Sequence, residues 1–339
     1  MKVAVYGPYQ RVGIVENDQV IDANYAVAKY NAEKTDEPLP SAMASAIAPS
    51  QLSEFIASGQ RAIETTQKAV EYLSKQAQDQ QGPHGETVVH TLASVQLHPP
   101  LATRATRIMA AGGNYAEHLY RTRRFRFNEE VTLDQVKQDM RNRGFWGFWK
   151  MTQHTVGPDA DVTFPERSNL LDYESEVAVV LGKPAKDVSS SKANDYFWGY
   201  TMHNDWSLRD QQDLTPYNFT FGKNFDGSSS LGPWIVVGEI KDAQDVPFGT
   251  RVNGDQRQEG STKDMVFSFA EYLQYLTQDI TLAPGDVISG GTCHGTAMDS
   301  SEYDADGKPK PGLYLKPGDV VEIYSPMIGT LRNRIVAKN

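Results

Sequence analysis

In the run DYESEVAVV, Glu174 and Glu176 stand one residue apart within a strand-like stretch. An extended chain alternates its side chains, so both carboxylates fall on one face. Carboxylates that close repel each other unless a proton, a basic side chain or a metal compensates them. An edge strand showing two ordinary acids to solvent is the alternative reading. A third carboxylate, Asp205, follows the aromatic run YFWGYTM, in HNDWSLRD. Delivered by a neighbouring strand end, it would complete a hard oxygen site for Mg²⁺ or Mn²⁺, with Ca²⁺ also admissible. Such a site keeps one negative charge in excess. Arg209 could offset it, could grip a substrate carboxylate with paired hydrogen bonds, or could simply bridge to Asp210.

His118 lies in GGNYAEHLY, behind glycines that permit a tight backbone approach. Histidine is the side-chain type best suited to general-base work near neutral pH, so His118 is the best general-base candidate if it faces the metal, and a satisfied structural hydrogen bonder if it does not. The other histidines, at 84, 90, 98, 154, 203 and 294, show no zinc spacing. Cys293 and His294 are adjacent. Neighbours in a strand point opposite ways, which argues against a thiol–imidazole pair. Lys223 in FGKNFDG and Thr292 in SGGTCHGT sit beside glycines where a turn could present them to a ligand. A solvated lysine and a plain turn threonine are the bland counterparts.

These residues need a scaffold. VAVYG, RVGIV and VIDA read as short N-terminal strands, and alanine-rich segments from Ala42 to Ala77, broken at Pro49 and Gly59, read as helices covering them. Gln76 to Thr87 reads as a surface loop, and a domain boundary is expected near residue 105. Thr132 and Gln135 are spaced as a capping box for a polar helix ending near Gly144. With Arg121, Arg123, Arg124 and Arg126 before it, that segment reads either as a cover over an anionic substrate or as a solvated insertion. In the covering case, Phe145, Trp146, Phe148 or Trp149 would add an apolar wall. From Asn169 onward strand-like pieces dominate, with one clear helix expected over Met265 to Gln278. The expected fold class is α+β: a mainly β C-terminal catalytic domain (106–339) with a mixed β-roll, and a small α/β N-terminal domain (1–105).

The composition narrows the function. With 43 acidic and 33 basic residues the chain carries a formal charge of -10, which argues against nucleic acid or an anionic membrane as partner. No apolar run approaches the roughly 20 residues needed to span a bilayer. The single cysteine cannot form an internal disulfide, which fits a reducing, cytoplasmic setting.

Taken in order, NYAEH, LDYESEVAVVLGK, GYTMHNDWSLRDQQ, FGKNFDGSSSLGPWIV, VNGDQRQ, LAPGDVISGGT and LKPGDVVEIYSPMIG resemble the fumarylacetoacetate hydrolase family over residues 106 to 335. The resemblance implies metal ligation by Glu174, Glu176 and Asp205, with His118 as catalytic base. It implies that Lys223 and Thr292 serve the reaction and that Tyr115, Arg209, Gln212 and Lys150 contact substrate. It further implies a homodimer that cleaves a carbon–carbon bond in a β-diketo or acylpyruvate-like acid. Relatives that decarboxylate, isomerise or dehydrate through the same chemistry set the alternative, and a noncatalytic ligand-binding protein is a second one.

The chain departs from the family pattern twice. Many members carry a glutamate three residues after the histidine, where this chain has Arg121. Others recruit an acid from near the C-terminal glycine-rich loop, for which Asp299, Glu302 and Asp304 are the candidates here. Lys150 is followed by Met151 instead of the family's proline.

Overall fold

A computed structural model describes residues 1–76, 81–101, 105–212, 218–305, 307–310 and 312–338. The expected loop Gln76 to Thr87 includes 77–80, which lie outside the described residues. The fold is α+β, built on an eleven-stranded sheet and a five-stranded sheet. The large sheet is antiparallel except where Val287–Ser289 runs parallel to Ile108–Ala111. Its N-terminal strands Lys2–Tyr6, Arg11–Glu16 and Gln19–Asp22 coincide with the three alternating runs in the sequence. Lys2–Tyr6 then pairs with Ser229–Val236, so the first hundred residues and the later strands share one sheet. They also share a core, in which Phe55, Ile56 and Val70 pack with Val180, Trp198 and Ile235.

The five-stranded sheet, Asp255–Ser261, Pro247–Val252, Val320–Ser325, Gly329–Val336 and Asp161–Thr163, is also mixed, its last pair being parallel. A second core joins it to the large sheet: Phe248, Val252, Ile323 and Leu331 meet Val177, Val179 and Met202. Strand Ser175–Leu181 lies deep within this arrangement, buried at every position. That strand carries Glu176, so the site rests on a fully enclosed element of the fold.

Helices Pro40–Ile47, Leu52–Ala57 and Gly59–Ser74 follow the breaks at Pro49 and Gly59. The helix Ala23–Lys34 has no counterpart in the sequence reading. Its buried residues include Asn24, Lys29 and Asn31, so no apolar stripe marks it, and it is started instead by Asp22 accepting from the Tyr25 N–H at 2.8 Å. The expected Met265–Gln278 helix is shorter, Phe269–Leu276, because the Ser268–Glu271 capping box starts it after an extended Met265. The Thr132–Gln135 box forms as expected and heads the helix Leu133–Arg143, which stops at Gly144.

Candidate metal and proton-transfer site

Strand pairing assembles the acids. Ser175–Leu181 runs antiparallel to Phe197–Asp205 with Glu176 opposite His203. Two residues further along, the Asp205 N–H donates to the Glu174 carbonyl at 3.0 Å. Glu174 and Asp205 are therefore cross-strand neighbours, and period-two alternation puts Glu176 on the same face. Each is 5% exposed or less. The three offer oxygens that all lie within 4.8 Å of one another.

Buried charge must be matched, and here it is matched by side chains distant in sequence. Lys223 Nζ donates to Glu174 Oε2 at 2.5 Å and to Asp205 Oδ2 at 2.8 Å. Lys150 Nζ donates to Asp205 Oδ1 at 2.6 Å and also to the Lys223 carbonyl. Arg209 reaches Glu174 Oε1 at 2.6 Å and Asp172 Oδ2 at 2.8 Å, not Asp210. Burial acts upward on the Glu174 carboxyl, but Lys223 and Arg209 outweigh it and hold Glu174 below the ordinary range. Asp205 is held well below its usual value in the same way, burial being overcome by Lys150 and Lys223. Burial lowers Lys150, while Asp205 and Glu174 keep Lys223 raised against it.

Glu176 differs. It accepts from Ser289 Oγ and from the Gly291 N–H at 3.2 Å, and His203 stands 3.7 Å away, but among the described residues it has no lysine or arginine partner. Burial accordingly pushes its carboxyl up. A cluster of hard oxygen donors containing one carboxylate without a cationic side chain is a donor set that fits a divalent cation.

Above this floor stands His118, 5% exposed, on the short helix Ala116–Arg121. Its Nδ1 is 2.7 Å from Asp299 Oδ2. Of the three candidate acids Asp299 is thus the partner, while Glu302 bridges to Lys310 and Asp304 caps a turn at Lys308 N. Asp299 is fully buried and accepts from Gly295 N and Ser300 Oγ, both at 2.9 Å. Asp172 accepts from Ala297 N and Met298 N, tying the Asp299 turn to Arg209.

Between floor and histidine lies a cavity of about 100 Å³. Its lining includes His118, Glu174, Glu176, Arg209, Gln212, Lys223 and Thr292. Lys150 sits beneath, against Asp205. Gln212 Nε2 is buried without a hydrogen-bond partner among the described residues. Thr292 Oγ1 donates to the Ser175 carbonyl and accepts from Gln258 Nε2, both at 2.8 Å. Gln258, buried in the second sheet, went unremarked in the sequence because nothing in VNGDQRQ marks which amide turns inward.

Tyr115 is not brought into this group. It packs edge-to-face on Phe248 at 5.9 Å and lines a separate cavity with Met265 and Cys293, so the substrate contact expected of it has no geometry behind it. Of the aromatic run, Trp146 and Phe148 line the site cavity, Phe145 packs in the core on Phe267 and Tyr275, and Trp149 is exposed. Gly112 lies flat against the Trp146 ring, where a Cβ would stand 2.4 Å from ring atoms. No residue from Arg121 to Arg143 lines the cavity. Arg121 pairs with Glu117, and Arg123 with Glu129 and Asp139. Cys293 is buried, which pushes its thiol well up and leaves it an unsuitable nucleophile.

The family model for the fumarylacetoacetate (FAA) hydrolase C-terminal domain matches residues 107–336. The oxaloacetate tautomerase YisK of Bacillus subtilis (strain 168) is 30% identical over 99% of this chain and 100% of its own. The 2,4-didehydro-3-deoxy-L-rhamnonate hydrolase of Sphingomonas sp. (strain SKA58) is 35% identical over 68% of this chain and 73% of its own. A solved fumarylacetoacetate hydrolase from Exiguobacterium antarcticum superposes with a TM-score of 0.70 at 26% identity, covering all of both chains. A tautomerase and hydrolases are thus among the proteins this chain is similar to, and the chain belongs to the fumarylacetoacetate hydrolase family.

Proposed function

We propose that this protein is a divalent-metal-dependent tautomerase of a small 2-oxo acid, moving a proton between C3 and the C2 oxygen. The observation that carries this reading is the buried His118–Asp299 pair facing a cavity of only about 100 Å³ above three clustered carboxylates. A cavity that size suits a few-carbon acid. The full-length likeness to an oxaloacetate tautomerase supports the isomerase reading over the carbon–carbon hydrolysis that the family resemblance first suggests.

Glu174, Glu176 and Asp205 would hold Mg²⁺ or Mn²⁺, which when bound polarises the oxo acid. The protein's own groups do the rest. Asp299 accepts the Nδ1 proton of His118, which fixes the tautomer and leaves Nε2 as the basic lone pair. Nε2 then takes the C3 proton, and negative charge developing on the C2 oxygen falls beside the Lys223 ammonium. Gln212 Nε2, without a partner among the described residues, would donate to the acid. Return of the proton to C3 or to oxygen completes the interconversion in either direction.

Hydrolysis is the second reading, favoured by the 35% identity to a Sphingomonas hydrolase and by the same dyad's fitness to activate water. Incubation of the Mg²⁺-loaded enzyme with a panel of 2-oxo and diketo acids, followed by proton NMR, separates the two. Faster keto–enol interconversion without new fragments is expected. Two acid fragments would establish hydrolysis, and CO₂ release would establish decarboxylation.

A further inference from the structure

The backbone between the two glutamates is not held by strand pairing alone. On one side, Ser175–Leu181 pairs with Phe197–Asp205 as far as Ser175 opposite Asn204. On the other, its pairing with Val287–Ser289 stops at Ala178 opposite Ser289, and Gly290 N adds one bond to the Val177 carbonyl at 3.0 Å. Ser175, two residues back and facing the same way, lies past the end of that ladder. Its backbone groups are nevertheless satisfied, both by side chains. The N–H donates to Gln258 Oε1 at 3.1 Å, and the carbonyl accepts from Thr292 Oγ1 at 2.8 Å.

Gln258 closes this ring. Its Nε2 donates to Thr292 Oγ1 and to the Cys293 carbonyl, both at 2.8 Å, while Oε1 also accepts from Thr250 Oγ1 at 2.7 Å. Both amide hydrogens and both acceptor positions are thereby in use. The Ser175 N–H can only donate and the Cys293 carbonyl can only accept, which fixes which way round the amide lies. Gln258 is fully buried and comes from the five-stranded sheet, where pairing steps from Thr250 opposite Gln258 to Arg251 opposite Gln256. That step leaves Arg257 as a bulge, a device that re-aims neighbouring side chains.

From this ring we infer that Gln258 is a positioning residue for the metal. Through Ser175 and Thr292 it fixes the separation of Glu174 and Glu176, and so tunes the floor to a small ion, Mg²⁺, over a large one, Ca²⁺. The inference rests on the metal-binding part of the proposed function and not on the reaction. Mg²⁺ demands near-ideal octahedral geometry at short range, whereas Ca²⁺ accepts longer and less regular contacts. Loosening the backbone between two ligands therefore penalises Mg²⁺ first, while a glutamine that served only the fold would affect both ions alike.

Gln258→Met keeps the length of the side chain and deletes all four hydrogen bonds. Calorimetric titration should show Mg²⁺ affinity reduced about 10-fold and Ca²⁺ affinity by less than about threefold. Thr292→Val, which removes the bond to the Ser175 carbonyl with little change of shape, should shift the Mg²⁺/Ca²⁺ ratio in the same direction. Thr292→Ser, which keeps the hydroxyl, should retain the ratio of the parent. Melting curves of the metal-free variants identify any that do not fold, and the Thr292 pair decides the matter if Gln258→Met is one of them. Equal losses for the two ions, or an unchanged ratio in the folded variants, would overturn the assignment. The titration needs no turnover, so its failure and that of the tautomerase reading are told apart.

Discussion

The floor of the site and the polar segment beside it use the same charged residue types in opposite ways. In the floor, Lys150, Lys223 and Arg209 are each 5% exposed or less and are locked to Asp172, Glu174 and Asp205. Along residues 121–143, Arg121, Arg123 and Arg141 pair with acids whose side chains are 36–58% exposed. Water screens the second set and adds little to its stability. It screens the nearly enclosed first set far less, so each charge there depends on its neighbour, and removing one leaves another buried and unmatched. Charge density alone therefore says little about function, and burial decides which cluster can do chemistry.

Asp205→Asn would strike that contrast hardest. Asp205 serves both lysines, so its loss leaves two buried ammoniums short of a partner and should cost about 3–5 kcal/mol of stability. It should also abolish the thermal stabilisation given by Mg²⁺. Urea unfolding with and without Mg²⁺ reads both, and a variant that remains as stable and as responsive as the parent would erase the distinction between the regions.

Asp299→Asn should fold, because the amide keeps an acceptor for Gly295 N and Ser300 Oγ. Turnover should nevertheless fall roughly 10²-fold or more, since a neutral amide no longer stabilises a protonated His118. Steady-state kinetics beside a melting curve tests this, a matching loss of fold pointing to a structural role only.

At the surface the expectation reverses. Arg123→Ala removes bridges to Glu129 and Asp139, yet should shift stability by less than about 1 kcal/mol and leave kcat/KM in place. A large kinetic effect would bring the 121–143 segment back toward the substrate.

The smallest effect concerns Cys293. Burial keeps its thiol protonated in the fold, while the unfolded thiol titrates near roughly pH 8.5. The unfolded state thus loses a proton that the native state retains, and stability should decline slightly as pH rises above that point. Native protein at pH 8 should react with a thiol reagent only at the rate of opening, and immediate stoichiometric labelling would show the site to be open.

Much of this was legible in the residues. Period-two spacing put Glu174 and Glu176 on one face, and the turn chemistry at Thr132 marked a helix start correctly. What the sequence could not convey was long-range pairing. Three acids near the glycine-rich loop looked equivalent, and only the turn anchored by Asp172 selects Asp299 for His118. Nor does sequence show that Tyr115, which adjoins the histidine helix, packs edge-to-face on Phe248. Helix Ala23–Lys34 was missed for another reason, since its buried face is partly polar and leaves no stripe to read.

In the proposed mechanism a histidine held by Asp299 moves the proton while the carboxylate floor independently holds the metal. Mg²⁺ titration and turnover, measured together on His118→Ala, test it most directly. Turnover should fall roughly 10²- to 10⁴-fold with Mg²⁺ affinity within about threefold of the parent. Turnover like that of the parent, or loss of Mg²⁺ binding together with activity, would contradict it.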